Sequence, residues 1–262
     1  MKLKITHVDA FTERAFGGNP AAVCVLDNWL EDSLMQEIAM ENNLSETAFL
    51  VKDGAAYHIR WFTPTVEVDL CGHATLATGK VLFEQPGFTG NEISFHSKSG
   101  QLKVKKETNG MFTLDFPAST PEWVSNPPSS ILDGLKIESD GIYKGPFDYM
   151  VVARNQATIE SLQPDFKLLA TLPSRGIVVT APGNEVDFVS RCFYPQSGID
   201  EDPVTGSAHT MMTPYWAEKL GKNKLSAIQL SKRKGHLQCE LAGNRVWMSG
   251  FAVIYLKGEI EI

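Results

Sequence analysis

Two short stretches of this chain place reactive side chains beside glycine at what reads as a helix start. Cys71-Gly72-His73-Ala74 follows Asp69, and Gly206-Ser207-Ala208 follows Asp202. Backbone N–H groups at a helix N-terminus are unpaired and carry partial positive charge, so such ends attract anions. Two of them facing one cleft would hold a carboxylate without recruiting Lys or Arg. The bland alternative is that each glycine only permits a tight strand-to-helix turn. A third stretch, Asn43-Leu44-Ser45-Glu46-Thr47-Ala48-Phe49, sets a carboxylate where a helix gives way to an apolar strand. Desolvated there, Glu46 is a candidate general base, because burial raises a carboxylate's proton affinity. Left in solvent, it is an ordinary loop glutamate.

His73 follows the first glycine directly, where the positive end of a helix favours the neutral imidazole. Cys71 lies beside the same helix end, whose dipole stabilises a thiolate, although free cysteine also packs as a small apolar residue. Asp202, within Asp200-Glu201-Asp202-Pro203, is either a reacting group or a turn and capping aspartate. His209, deeper in the second helix, reads as structural. The four cysteines (Cys24, Cys71, Cys192 and Cys239) stand far apart with no CxxC pair. Neither a disulfide framework nor a metal-ligand spacing emerges from them. No GxGxxG or phosphate loop is present, and Gly17-Gly18-Asn19 reads as a tight turn. The expected chemistry is proton transfer with neither metal nor organic cofactor.

The elements that must position these residues are mostly short strands. Lys4–Ala10, Ala21–Leu26, Thr47–Val51, Tyr57–Phe62, Ile93–His96, Leu102–Lys106 and Phe112–Phe116 are apolar or alternating runs bounded by Gly, Asn, Asp and Pro. The spacing of Leu34, Met35, Ile38 and Ala39 predicts a helix over Glu31–Asn42, with acidic residues in its first turn. A second helix starts near Gly72 and stops at Pro86-Gly87. It carries so little polar surface that it must be covered on most sides, as a sheet wrapped around it would do. The pattern then restarts with strands at Phe147–Ala153, Gly176–Thr180 and Val186–Phe193, and a helix near Gly206. Leu225–Leu230, His236–Leu241 and Val246–Leu256 close the chain.

Arg60-Trp61-Phe62-Thr63-Pro64 and Arg191-Cys192-Phe193-Tyr194-Pro195 share Arg-x-Phe-x-Pro. Each leads through a short polar loop to Gly-x-Ala at a helix start. An apolar run and a Gly-containing turn precede both. Four features in one order indicate an internal duplication. The expected lobes are 1–117 and 118–262, with Ala118–Pro146 as crossover and the last strand able to return to the first lobe.

The net charge of −7 argues against nonspecific nucleic-acid binding, which needs Lys and Arg to neutralise phosphates. Lys232-Arg233-Lys234 reads as a solvated turn. The amino terminus lacks a signal peptide's apolar core, and no apolar run approaches the ~18 residues of a membrane span. A cytoplasmic location with reduced thiols is expected.

Together these segments resemble the PhzF-like phenazine-biosynthesis isomerase family along essentially the whole chain. The resemblance is carried by Phe16-Gly17-Gly18-Asn19-Pro20-Ala21, the Glu46 stretch, Arg60-Trp61-Phe62-Thr63-Pro64, Leu70-Cys71-Gly72-His73-Ala74-Thr75 and Glu201-Asp202-Pro203-Val204-Thr205-Gly206-Ser207-Ala208. It implies an α+β, diaminopimelate-epimerase-like fold of two pseudo-symmetric lobes, each a curled, mainly antiparallel sheet around a central helix. It also implies a cofactor-independent isomerase in which Glu46 shuttles a proton on a small carboxylate. His73 and Asp202 would assist, Ser45, Gly72, Gly206 and Ser207 would bind substrate, and the protein would be a homodimer. Related epimerases use one cysteine per lobe, whereas here the second motif holds Asp202 and no cysteine. An epimerase pairing Cys71 with Asp202, or a metabolite-binding protein without turnover, are the competing readings.

Overall fold

The computed structural model describes all 262 residues, which divide into two compact units. The first comprises Met1–Asp115 and Ser249–Ile262, the second Phe116–Met248. Against expected lobes of 1–117 and 118–262, the boundary falls after Asp115, and Ser249–Ile262 belongs to the first unit. Ala252–Glu261 runs antiparallel to Lys2–Ala10, with pairs from Lys2–Glu261 to Ala10–Ala252, so the last strand completes the first unit's sheet. Strand pairing is set by backbone hydrogen bonds rather than by nearness in sequence.

In the first unit, Lys2–Ala10 also pairs antiparallel with Asn19–Leu26. Asn19–Leu26 runs parallel to Glu46–Asp53, which pairs antiparallel with Ala56–Phe62. Ala56–Phe62 runs parallel to Glu92–Ser97, which turns back into Gly100–Lys106. Each parallel step needs a crossover, and a helix supplies it. Asp32–Asn42 covers one face, burying Met35, Ile38 and Ala39 against Leu3, Ile5, Phe49 and Phe62. Gly72–Phe83 is the second crossover. It is buried on nearly every side, touching Lys2–Ala10, Asn19–Leu26, Glu46–Asp53, Gly100–Lys106 and Ala252–Glu261. Its two threonines tolerate this because their hydroxyls bond to carbonyls one turn back, Thr75 to Cys71 and Thr78 to Ala74 at 2.5 and 2.8 Å. A Cβ on Gly79 would stand 2.6 Å from Val104 Cγ1, so glycine sets the approach of helix to sheet.

The second unit repeats this order. Gly141–Lys144 pairs antiparallel with Asp148–Val152, which runs parallel to Gly176–Pro182. Phe188–Tyr194 pairs antiparallel with Gly176–Pro182 and parallel with Lys224–Gln229, which turns into Gly235–Ala242. Gly206–Leu220 is its long, mostly buried helix. Pro214 lies inside that helix and cannot donate to Thr210 one turn back. The freed Thr210 carbonyl accepts instead from the Ser119 backbone at 3.0 Å.

The repeated motif is built twice in the same way. Arg60 grips Glu67 with two hydrogen bonds of 2.7 and 2.9 Å and lies over the Phe62 ring. Arg191 grips Glu201 at the same two distances and lies over Phe193. The stretch expected as a plain crossover holds structure of its own, namely Glu122–Trp123, the helix Ser129–Leu135 and Gly141–Lys144. These elements are too short to show a period in sequence, and Ile131 and Leu135 are held by tertiary packing.

Candidate active site

The first unit gathers its chemistry at one end of two parallel strands. Gly18 makes the turn into the first of them. It has φ of +58°, and a Cβ there would fall 2.0 Å from the Ala10 carbonyl oxygen, so only glycine fits. The turn delivers Asn19, fully buried, to the start of Asn19–Leu26. Because the neighbouring strand is parallel, with Ala21 opposite Glu46, that strand begins at the same end and brings Ser45 and Glu46 with it. The start of Gly72–Phe83 completes the set. Ser45 Oγ donates to Asn19 Oδ1 at 2.9 Å, and the Asn19 amide meets His73 Nδ1 at 3.1 Å. On the other side of the ring, His73 Nε2 lies 3.1 Å from Glu46 Oε2.

With its oxygen engaged by Ser45, the Asn19 amide offers N–H to Nδ1, and a neutral ring in that arrangement carries its proton on Nε2, toward Glu46. Turning the amide over lets a charged ring donate from both nitrogens. The Nε2–Oε2 contact is the one partner that either of these two buried atoms has.

Burial works against charge on His73, yet the Cys71 sulfur and the Glu46 carboxylate favour it, and the net direction is well above the ordinary imidazole value. The helix-start argument for a neutral imidazole is thus overridden by neighbours nearer than the dipole's end. For Cys71 the packed-thiol reading is the one favoured by its surroundings. Burial, then the Glu46 charge, pushes its thiol up to about 11, so proximity to a helix end does not make it a thiolate. With that thiol protonated at neutral pH, Glu46 is the anion that holds a proton on His73. Cys71 Sγ stands 3.6 Å from His73 Nδ1.

The expectation that no ligand set exists is also revised. One atom each of Glu46, Cys71 and His73 lie within 4.8 Å of one another. Spacing along the chain concealed this, because Glu46 arrives from a different strand.

In the second unit, Asp202 Oδ2 accepts from Thr205 Oγ1 at 2.5 Å, and Gln229 Nε2 donates to the Asp202 carbonyl at 2.7 Å. Gln229 Oε1 accepts from the Thr205 backbone at 2.8 Å, so the loop before Gly206 is held from two sides. Ser207, in the first turn of Gly206–Leu220, accepts from Arg175 Nη2 at 3.0 Å. The guanidinium is paired with Asp148 and flanked by the Phe147 and Tyr194 rings. A guanidinium therefore stands beside this helix start, with its charge paired to Asp148. Cys192 pairs across from Asp202 in the sheet but is fully buried, and burial raises its thiol well above the ordinary range. His209 is held through Nδ1 by the Thr205 carbonyl at 2.8 Å and is pushed down to about 4 by burial, as a structural imidazole would be. A surface depression lined by Trp29, His58, Arg60, His96 and Lys98 shares no residue with either cluster.

The sequence profile of the phenazine biosynthesis-like proteins, PhzC-PhzF, matches residues 8–258. The chain belongs to the PhzF family. It is 50% identical to an uncharacterized isomerase of Pseudomonas aeruginosa over 262 residues, covering all of both chains. It is 37% identical to the human phenazine biosynthesis-like domain-containing protein, covering 99% of each. A PhzF-family crystal structure from Enterococcus faecalis aligns with a TM-score of 0.96 at 46% identity over the whole of both chains. At 10% identity, a hydroxyproline epimerase from Agrobacterium vitis shares the fold alone, with a TM-score of 0.60 over 99% and 92% of the two chains. The fold is the diaminopimelate-epimerase-like one that the motifs implied.

Within this PhzF-family chain, two residues of these clusters were not singled out from the sequence, although Asn19 lies in one of the motifs that carry the resemblance. Asn19 sits in a Gly-Gly-Asn run that reads as a turn, and its contact with His73 spans 54 positions. Arg175 follows an unremarkable Leu-Pro-Ser; parallel strand pairing sets it beside Asp148, and it meets Ser207 at the start of Gly206–Leu220, 32 positions on.

Proposed function

We propose that this PhzF-family protein is a cofactor-independent isomerase that moves a proton on a small carboxylate metabolite, with Glu46 as the group that takes and returns it. The observation that carries this reading is the buried Glu46–His73 contact, with Nε2 and Oε2 3.1 Å apart and no further partner for either atom. A carboxylate held this way has a lone pair to spend on a substrate C–H. In the proposed step Glu46 removes a proton from one carbon and the electron pair enters the adjacent unsaturated system. The same carboxyl group then returns the proton to another carbon, so no oxidant or reductant is consumed. His73 orients Glu46 and compensates its charge. Backbone N–H groups at Gly72, at the helix N-terminus, steady the negative charge that develops. The family resemblance gives Asp202 an assisting role and Ser45, Gly206 and Ser207 a part in binding substrate.

The competing epimerase reading needs Cys71 as a base. A fully buried thiol pushed up to about 11 serves poorly at neutral pH.

Binding raises thermal stability by mass action, so a thermal-shift screen over cyclic and acyclic carboxylates selects ligands. Each hit is then incubated with the protein in heavy water. The isomerase labels a substrate carbon, and chelation leaves labelling unchanged. Hits that bind tightly and never exchange would make the protein a binding module instead.

A further inference from the structure

We propose that two copies of this chain pair through the closing strand, Ala252–Glu261, running antiparallel about a two-fold axis at Gly258. The segment carries its own complement. Leu256-Lys257-Gly258-Glu259-Ile260 reads apolar, cation, glycine, anion, apolar. Antiparallel pairing centred on Gly258 sets Lys257 opposite the second copy's Glu259, and Glu259 opposite its Lys257. In the same register Leu256 meets the second copy's Ile260, twice over. Residues directly opposite on neighbouring strands share a face, where unlike charges attract and like charges destabilise. A two-fold interface asks for this kind of self-complementarity, because one patch must fit itself. Glycine at the axis leaves no side chain between the two backbones.

The strand is open to such a partner. Its ladder with Lys2–Ala10 runs unbroken from Lys2–Glu261 to His7–Leu256, then shifts register so that Tyr255 is the extra residue of a bulge. That ladder takes one edge of the strand, and the second copy takes the other. Tyr255, Leu256, Lys257, Gly258 and Glu259 are exposed in succession. A strand lying on a core buries alternate residues, so five exposed in a row mark a stretch open on both faces. Tyr255 is 53% and Leu256 40% exposed, and the Phe16 ring stands against Tyr255 at 5.3 Å. Lysine on an exposed edge ordinarily keeps copies apart. Here the register that joins the apolar residues gives each lysine a glutamate. Within its own chain Lys257 has only a 3.4 Å contact with Glu84, a carboxylate that Lys80 holds at 2.6 Å.

This pairing is independent of the proposed reaction, and multi-angle light scattering tests it. Lys257→Glu sets glutamate against glutamate, and Glu259→Lys sets lysine against lysine. Each variant alone should fall from the dimer mass to the 28.9 kDa of one chain. Mixing the two variants restores both opposite-charge pairs and should return the dimer, as should the double exchange in one chain. Both side chains are exposed, and circular dichroism verifies that the variants fold. Gly258→Cys provides an arm that leaves the charges alone. Its new Cβ meets only Leu256 Cδ2 at 3.5 Å, an ordinary contact. Opposite Cα atoms in an antiparallel pair stand about 4.5–5.5 Å apart, within the ~4.4–6.8 Å that a disulfide spans. Mild oxidation should therefore cross-link this variant into a dimer that reductant releases, while wild type, whose four cysteines are buried, stays unlinked. A monomeric wild type, single variants that remain dimeric, a mixture that remains monomeric, or a Gly258→Cys chain that does not cross-link would each overturn the proposal.

Discussion

At the residue scale, the assignment rests on one carboxylate and the ring beside it. Glu46→Gln keeps the side chain's shape but removes the base. General acid–base groups contribute ~10²–10⁴-fold, and a sole shuttle belongs at or above that range. Solvent exchange in the folded variant should fall accordingly, while Cys71→Ala keeps most of it. The opposite pattern would favour thiol-based epimerisation. The same pair makes a titration prediction. His73 has its proton affinity raised in the fold, so its contribution to stability is complete below the unfolded value near 6.5. That contribution disappears as pH rises through the folded value. Removing the Glu46 charge should lower the His73 titration, and nitrogen chemical shifts of the ring in wild type and Glu46→Gln measure it directly. An unmoved His73 titration would detach the histidine from Glu46.

At the element scale, each unit depends on a helix buried in its sheet. Helix propensity favours Ala over Gly by about 1 kcal/mol, yet Gly79→Ala should destabilise. The new Cβ meets Val104 Cγ1 at 2.6 Å, and overpacking of a core costs about 1–3 kcal/mol. Adding Val104→Ala should recover part of that loss, a coupling that urea midpoints across a double-mutant cycle will show. The second unit's helix carries His209, pushed down to about 4 by burial. The unfolded chain takes up this proton below about 6.5 while the folded chain resists it down to about 4. Stability is therefore complete above the upper value and declines as pH falls toward the lower one. At about 1.36 kcal/mol per unit this amounts to a few kcal/mol. His209→Gln should flatten unfolding free energy against pH across that window, and a slope unchanged from wild type would place its cause elsewhere.

At the scale of the whole molecule, the prediction is assembly. Family resemblance and the prevalence of two-fold symmetric oligomers lead to a homodimer. Multi-angle light scattering over a wide concentration range should return about twice the 28.9 kDa chain mass. A constant monomer mass would refute it. No helix is long and apolar enough to cross a membrane.

Local chemistry made most strands, the three long helices and the duplication legible in the sequence. Alternating apolar residues, Gly-containing turns and the twice-written Arg-x-Phe-x-Pro act over a few neighbours, and neighbours are what a sequence displays. Glu46, His73 and Cys71 were legible as candidates for the same reason. Tertiary structure alone decided what they touch. Parallel strand pairing sets Asn19 beside Ser45 and Glu46, and Arg175 beside Asp148, and the helix starts bring His73 and Ser207 to them. The closing strand joined the first unit through its ladder with Lys2–Ala10. The protonation states of Cys71 and His73 followed burial and neighbouring charge rather than the helix end beside them. Desolvation and Coulomb terms depend on distances in space, and a chain fixes those only once it has folded.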